Sequence, residues 1–118
     1  MPEPPRPVVQ PEPETLCSLE WSRGLTLEVR DSVSAEPSAE GVVAIAREGP
    51  YVDTLSVFGY DELGRALLLG GVHERPGVYE VSVRKPGYRD WNVAGVTITG
   101  GECHVVARRF QVRLQRQR

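Results

Sequence analysis

Two cysteines, two histidines, seven serines and sixteen carboxylates are the residues of this 118-residue chain that could do chemistry. Their spacing argues against most of it. His73 is followed directly by Glu74, with Pro76 at the third position on, so the His-x-x-Glu pair of a zinc hydrolase is not formed. Cys103 and His104 are neighbours in what reads as an extended segment, where successive side chains point to opposite faces. No close-spaced Cys-x-x-Cys pair supplies the remaining ligands of a structural zinc site. A Ser/His/Asp triad drawn from these residues would be arbitrary, since no Gly-x-Ser-x-Gly elbow occurs to mark a nucleophile. Gly70-Gly71 and Gly100-Gly101 read as turns rather than as phosphate cradles. The expectation is a non-enzymatic chain with no metal and no cofactor.

What remains is binding. Tyr51, Tyr60, Tyr88 and Trp91, with Phe58, could line a carbohydrate or peptide platform, or could cover the core and its ends. Trp21, ahead of the first clear strand, could cap the bottom of the domain or stand exposed. The basic residues cluster late, at Arg108, Arg109, Arg113, Arg116 and Arg118, and read as an exposed strand face running into a solvated tail. A net charge of −2 creates no global field favouring nucleic acid or an anionic membrane. The partner classes left open are carbohydrate, peptide and another protein.

The elements that must position these residues are strands. Arg75 to Trp91, RPGVYEVSVRKPGYRDW, shows the pattern best: Tyr79, Val81 and Val83 alternate with Glu80, Ser82 and Arg84, which is the period of a half-buried strand. Pro76-Gly77 opens it and Pro86-Gly87 closes it, a pair suited to the centre of a type II turn. Leu25, Leu27 and Val29 alternate likewise in a first strand. Val42 to Arg47, Tyr51 to Phe58, Arg65 to Leu69, Trp91 to Thr99 (broken at Gly95) and Cys103 to Leu114 complete a set of seven. The parity of Val42 to Arg47 is undecided. Glycine and proline punctuate at intervals of about ten residues and no stretch holds a helical period. This predicts an all-β, seven-stranded antiparallel sandwich of Greek-key type. Its inward candidates are Leu25, Leu27, Val29, Leu67, Leu69, Tyr79, Val81, Val83, Trp91, Val96, Ile98, Phe110, Val112 and Leu114.

Residues 1–16 hold six of the ten prolines and little that could fill a core, so they read as an extended tether or disordered tail. The domain is expected over residues 17–115, with residues 116–118 frayed. No apolar run approaches the ~20 residues of a membrane span, and Met1 is followed by prolines and glutamates rather than by a secretory leader. The chain is then either cytosolic or a mature exported form whose leader is absent. In many sandwiches of this type the first strand lies beside the last and parallel to it. Cys17 precedes the first and Cys103 opens the last, which places both at one end of the domain and predicts a Cys17–Cys103 disulfide. Two unrelated buried thiols are the alternative.

GLTLEVRDSVSAEPSAEG, the glycine-bounded RPGVYEVSVRKPGYRDW and VTITGGECHVVARRFQVRL together resemble the carboxypeptidase-regulatory-like domains, which are transthyretin-like (immunoglobulin-like) β-sandwiches. The resemblance runs from about Leu25 to Leu114. Its most specific part is Gly77-Val78-Tyr79-Glu80-Val81 followed by Gly87-Tyr88, and those motifs are structural. The resemblance implies a small bacterial exported protein or lipoprotein, in the periplasm or at the cell surface, with a structural or binding role. The alternative it carries is an accessory carbohydrate- or peptide-binding domain beside a separate enzyme. A lipidated Cys17 is disfavoured by Pro13-Glu14-Thr15-Leu16, which lacks the small apolar pattern of such a processing site. The transthyretin-like hydrolases of purine degradation end in Tyr-Arg-Gly-Ser, where this chain has Gln115 to Arg118. Isopeptide-bonded adhesin repeats need a first-strand lysine, whereas the single lysine here is Lys85.

Overall fold

The computed structural model describes residues 21–117, and they are all-β. Nine strands follow in chain order: β1 (Arg23–Asp31), β2 (Val43–Glu48), β3 (Tyr51–Thr54), β4 (Ser56–Tyr60), β5 (Ala66–His73), β6 (Gly77–Arg84), β7 (Trp91–Gly100), β8 (Val105–Val106) and β9 (Arg108–Leu114). They form two sheets, one of four strands in the order β4-β5-β1-β9 and one of five in the order β3-β2-β6-β7-β8. The tail assigned to residues 1–16, and Cys17 with it, lie outside the described residues.

The expected count of seven is corrected to nine because two segments each change sheets. Tyr51 to Phe58, expected as one strand, gives β3 to the five-stranded sheet and β4 to the four-stranded one. The crossing is at Leu55, which is buried and whose amide donates to the Ala44 carbonyl of β2 at 2.8 Å. The expected last strand likewise splits at Ala107 into β8 and β9. Each pair of neighbouring sheet edges is thereby joined by a continuous chain, a corner made by a switching strand. Cys103 and His104 precede β8 in the turn closed by the Gly101 amide on the His104 carbonyl.

β1 pairs antiparallel with β5 and parallel with β9, the latter in a register running from Leu25 opposite Arg108 to Asp31 opposite Leu114. Alternation then decides the core. Leu25, Leu27, Val29, Leu69, Val112 and Leu114 point inward from one sheet, and Ala44, Ala46, Tyr79, Val81, Val83, Val96 and Ile98 from the other. Three expected core residues differ: Trp91 and Phe110 are half-buried and close one side, their rings edge-on at 6.3 Å, and Leu67 is half-buried. The undecided parity of β2 resolves with the small residues inward. Ala44 and Ala46 lie opposite Val83 and Val81, leaving room for the Tyr79 ring, while Val43 and Ile45 face out.

Gly70-Gly71 does not end a strand, as expected, but runs inside β5. A Cβ on Gly70 would meet the Phe58 ring at 2.8 Å, and one on Gly71 the Asp53 carboxylate at 2.7 Å, so the glycines are there for close approach. Gly95 does not break β7. Tyr79 pairs with Val96 and Val81 with Val93, so β7 carries one extra residue, a bulge that Gly95 relieves at φ 69°. Pro86-Gly87 is the expected turn: the Tyr88 amide bonds the Lys85 carbonyl at 3.0 Å and Gly87 has φ 83°.

Because Leu27 is fully buried between the sheets, Leu27→Ala is expected to lower unfolding free energy in urea by about 2–5 kcal/mol. Leu63→Ala, at a position 78% exposed, should stay within about 0.5 kcal/mol of the parent.

Candidate functional site

Three carboxylates dominate the electrostatics. Asp31, at the end of β1, is buried. Its Oδ1 accepts from the amides of Val33 and Ser34, each at 2.9 Å, and its Oδ2 from the Tyr88 hydroxyl and from Arg116 Nε, each at 2.8 Å. The Arg116 guanidinium first, then the Ser34 and Val33 amides and the Tyr88 hydroxyl, hold this carboxyl far below the usual carboxylate range. Arg116 and Gln117, expected to fray, are held: Arg116 bridges to Tyr88, and the Gln117 amide bonds the Gly87 carbonyl at 2.9 Å.

Glu48, at the end of β2, accepts from the Val78 amide at 2.6 Å and from Arg75 Nη1 at 2.9 Å, and these two donors, in that order, pull its pKa down. Arg75 also donates to the Tyr79 hydroxyl at 2.7 Å, which donates back to the Arg75 carbonyl at 2.8 Å, and its guanidinium lies 3.6 Å from the centre of the Tyr51 ring. Glu74 accepts from the Ser22 amide at 2.7 Å and the Val105 amide at 3.2 Å and pairs with His104 Nδ1. The Ser22 amide leads in lowering its pKa. Each carboxylate therefore joins segments distant in sequence.

The aromatic residues singled out as a binding surface do not come together. Tyr51 packs edge-on against Tyr79, with centroids 6.2 Å apart. Tyr88 is spent on Asp31, Trp91 on Phe110, and Tyr60 stands 62% exposed at the end of β4. Trp21 is 73% exposed, its ring 6.5 Å from that of His73. Among the described residues no three His, Cys, Asp or Glu side chains converge on a point that could hold a metal ion.

The surface that does converge is the outside of the five-stranded sheet, and residue-type scanning misses it because its members are ordinary. Its rows follow from the register: Val43 faces Arg84, Ile45 faces Ser82 and Arg47 faces Glu80 across β2 and β6, and Ser82 faces Asn92 on β7. With Val93 and Ala94 these residues line an open groove of about 690 Å³. Val43 is half-exposed, Arg47 stands directly opposite Glu80, and Arg84 reaches Asp90 at 3.5 Å. The groove thus has an apolar floor from β2 and a rim of guanidinium, carboxylate, hydroxyl and amide groups, a composition fit for binding and short of a nucleophile–base pair. The signal is present in the sequence as Val43 and Ile45, large apolar residues alternating with Ala44 and Ala46.

No protein-family model matches the chain, and no curated protein matches it. Among the described residues no helix is long and apolar enough to cross a membrane.

Asp31, Glu48 and Glu74 have folded pKa values below their unfolded ones, so their contribution is complete above the unfolded range, about pH 4–4.5, and is lost as pH falls through the folded values. Urea midpoints should be flat from pH 7 to about pH 5 and decline below that. Asp31→Asn should be less stable at pH 7 and show a shallower acid decline.

Proposed function

We propose that this chain is a non-catalytic, exported β-sandwich module of the carboxypeptidase-regulatory-like kind, which binds its partner on the outside of the five-stranded sheet. The observation that carries the reading is the groove over β2, β6 and β7, where Val43 and Ile45 face outward between Arg47, Arg84, Ser82 and Asn92. Exposed apolar surface rimmed by polar groups marks interaction sites on monomeric proteins. The use of the perturbed carboxylates supports the non-catalytic half. Asp31, Glu48 and Glu74 are saturated by backbone amides and neighbouring side chains, which suits fastening and leaves little capacity for proton transfer to a substrate. The mixed rim suits an extended peptide or a carbohydrate, the ligand classes of an accessory domain working beside a separate enzyme.

The same reading pairs Cys17 with Cys103. Its support is the parallel β1–β9 ladder, which sets the beginnings of the first and last strands at one end of the sandwich, and the lack of a free cysteine among the described residues. A bridge closing a loop of about 86 residues would contribute at most about 4–5 kcal/mol by restricting the unfolded chain. An exported setting follows, since such bridges persist in oxidising compartments.

Two measurements test this. Intact mass of the oxidised protein after alkylation should show no modified thiol; two alkylated cysteines in folded protein would contradict the pairing. For binding, ligands recovered from a glycan array and a displayed peptide library should lose at least tenfold in affinity with Val43→Asp or Arg84→Glu at unchanged thermal midpoint. Tyr60→Ala should bind as the parent does. Equal affinity of all three variants would remove the groove from the function.

A further inference from the structure

The outside of the four-stranded sheet differs from the other face in charge. Its strands hold Arg23, Arg30, Arg109 and Arg113, with Arg108 reaching across the sandwich edge to the Thr97 carbonyl of β7, against two acids, Glu28 and Asp31. Asp31 is buried and engaged with Arg116, so Glu28 is the one outward carboxylate of these strands. Glu28 is already shared between Arg30 at 3.3 Å and Arg109 at 3.6 Å. At the end of the sheet where β1 begins, a second groove of about 540 Å³ is lined by Trp21, Arg23, Phe58, Leu68, Arg108 and Arg109. The Arg23 guanidinium lies 3.8 Å from the centre of the Phe58 ring, above Gly70, whose missing side chain lets the pair lie flat on the sheet. Trp21 is largely exposed on the rim. The groove therefore offers two aromatic surfaces among guanidinium groups, with a deficit of negative charge.

Residues 1–20 join the described chain at Trp21, on that rim. They contain six prolines, four glutamates (Glu3, Glu12, Glu14 and Glu20) and one arginine, Arg6. Proline has no amide hydrogen to give a sheet edge, which disfavours ladder pairing for this segment. Proline rings in polyproline II form instead dock on aromatic-lined grooves. Carboxylates interleaved with them meet guanidinium groups in charge-assisted, often bidentate hydrogen bonds. With Cys17 held at Cys103 by the proposed bridge, the free stretch from Cys17 back to Glu12 is about 15 Å at about 3.1 Å per residue, and it starts from the turn before β8, which only β8 separates from Ala107 on the groove lining.

We propose that the Trp21–Phe58 groove is a docking site for the chain's own Pro/Glu-rich segment. Pro11 and Pro13 stack on Trp21 and Phe58, and Glu12 and Glu14 meet Arg23 and Arg109. The arginine excess of this face is then the complement of the acidic excess of residues 1–20. An acidic, proline-rich peptide from another protein would compete for the same groove.

The test uses the full chain, uniformly labelled, at low ionic strength. Nuclear Overhauser contacts are expected from the Trp21 and Phe58 ring protons to the Hδ and Hγ protons of Pro11 and Pro13. They should weaken when salt is raised from about 50 to about 500 mM, since exposed ion pairs are screened. They should disappear in Arg23→Glu/Arg109→Glu, a change of exposed charge expected to leave the fold intact, as the amide spectrum of the core strands will show. Absence of these contacts in the parent at low salt would overturn the proposal. So would contacts seen only between labelled and unlabelled molecules in a mixed sample, which would assign the groove to a second copy. Contacts that persist in the charge-reversed variant would overturn the role given to the arginines.

Discussion

The parallel pairing of β1 with β9 is the contact on which the rest of the structure depends. It joins the first strand to the last over seven residue pairs, from Leu25–Arg108 to Asp31–Leu114, and sets β1 between β9 and β5 inside its sheet. A strand so placed buries Leu25, Leu27 and Val29 completely. Because the ladder is parallel, both strands finish at the same end, and Asp31 arrives beside the residues that follow Leu114. Its carboxylate gathers the Val33 and Ser34 amides, the Tyr88 hydroxyl and Arg116, so that the β1 end, the loop after it, the β6–β7 turn and the C-terminal stretch are fixed by one side chain. At the opposite end Glu74 does the same for Ser22, His104 and Val105. Burying a carboxylate is costly unless its lone pairs are occupied, and here four donors occupy those of Asp31.

Sheet switching completes the sandwich. A strand edge with unpaired amides and carbonyls invites another chain. The crossings at Leu55 and Ala107 run neighbouring edges of the two sheets into one another instead. The two outer faces are thereby left as the broad exposed surfaces, and they are chemically unlike. The five-stranded sheet shows an apolar groove with mixed charge, and the four-stranded sheet shows arginine with two aromatic residues. The two faces of one sandwich thus present different chemistry to whatever meets them.

Much of the fold is legible in the residues, because a half-buried strand writes its orientation in every second side chain. Leu25-Leu27-Val29 and Tyr79-Val81-Val83 have the predicted parity, and Pro86-Gly87 makes the predicted turn. The departures share a cause. Gly70-Gly71 reads locally as a turn, whereas the pair sits in mid-strand because Phe58 and Asp53 press on it from elements that local pattern does not reveal. The split of Tyr51 to Phe58 depends on Leu55 filling a corner between sheets, and an extended segment of mixed residues reads the same whether it stays in one sheet or changes. Sites are less legible than strands. The aromatic residues draw attention by type, yet Tyr51, Tyr88 and Trp91 are held by Arg75, Asp31 and Phe110, partners that tertiary structure supplies. The groove on the five-stranded sheet is made of valine, isoleucine, arginine and serine, whose meaning comes only from sharing one face.

Native-state amide hydrogen exchange across β1 and β9 tests the central claim most directly. If the parallel ladder holds the fold together, the amides of Leu27 and Val29 and of Val112 and Leu114 will exchange only through global unfolding, with one common free energy and one common urea dependence. If β9 instead opens below the global free energy while β1 stays protected by β5, the last strand is an appendage, and closure of the sandwich by the β1–β9 ladder is contradicted.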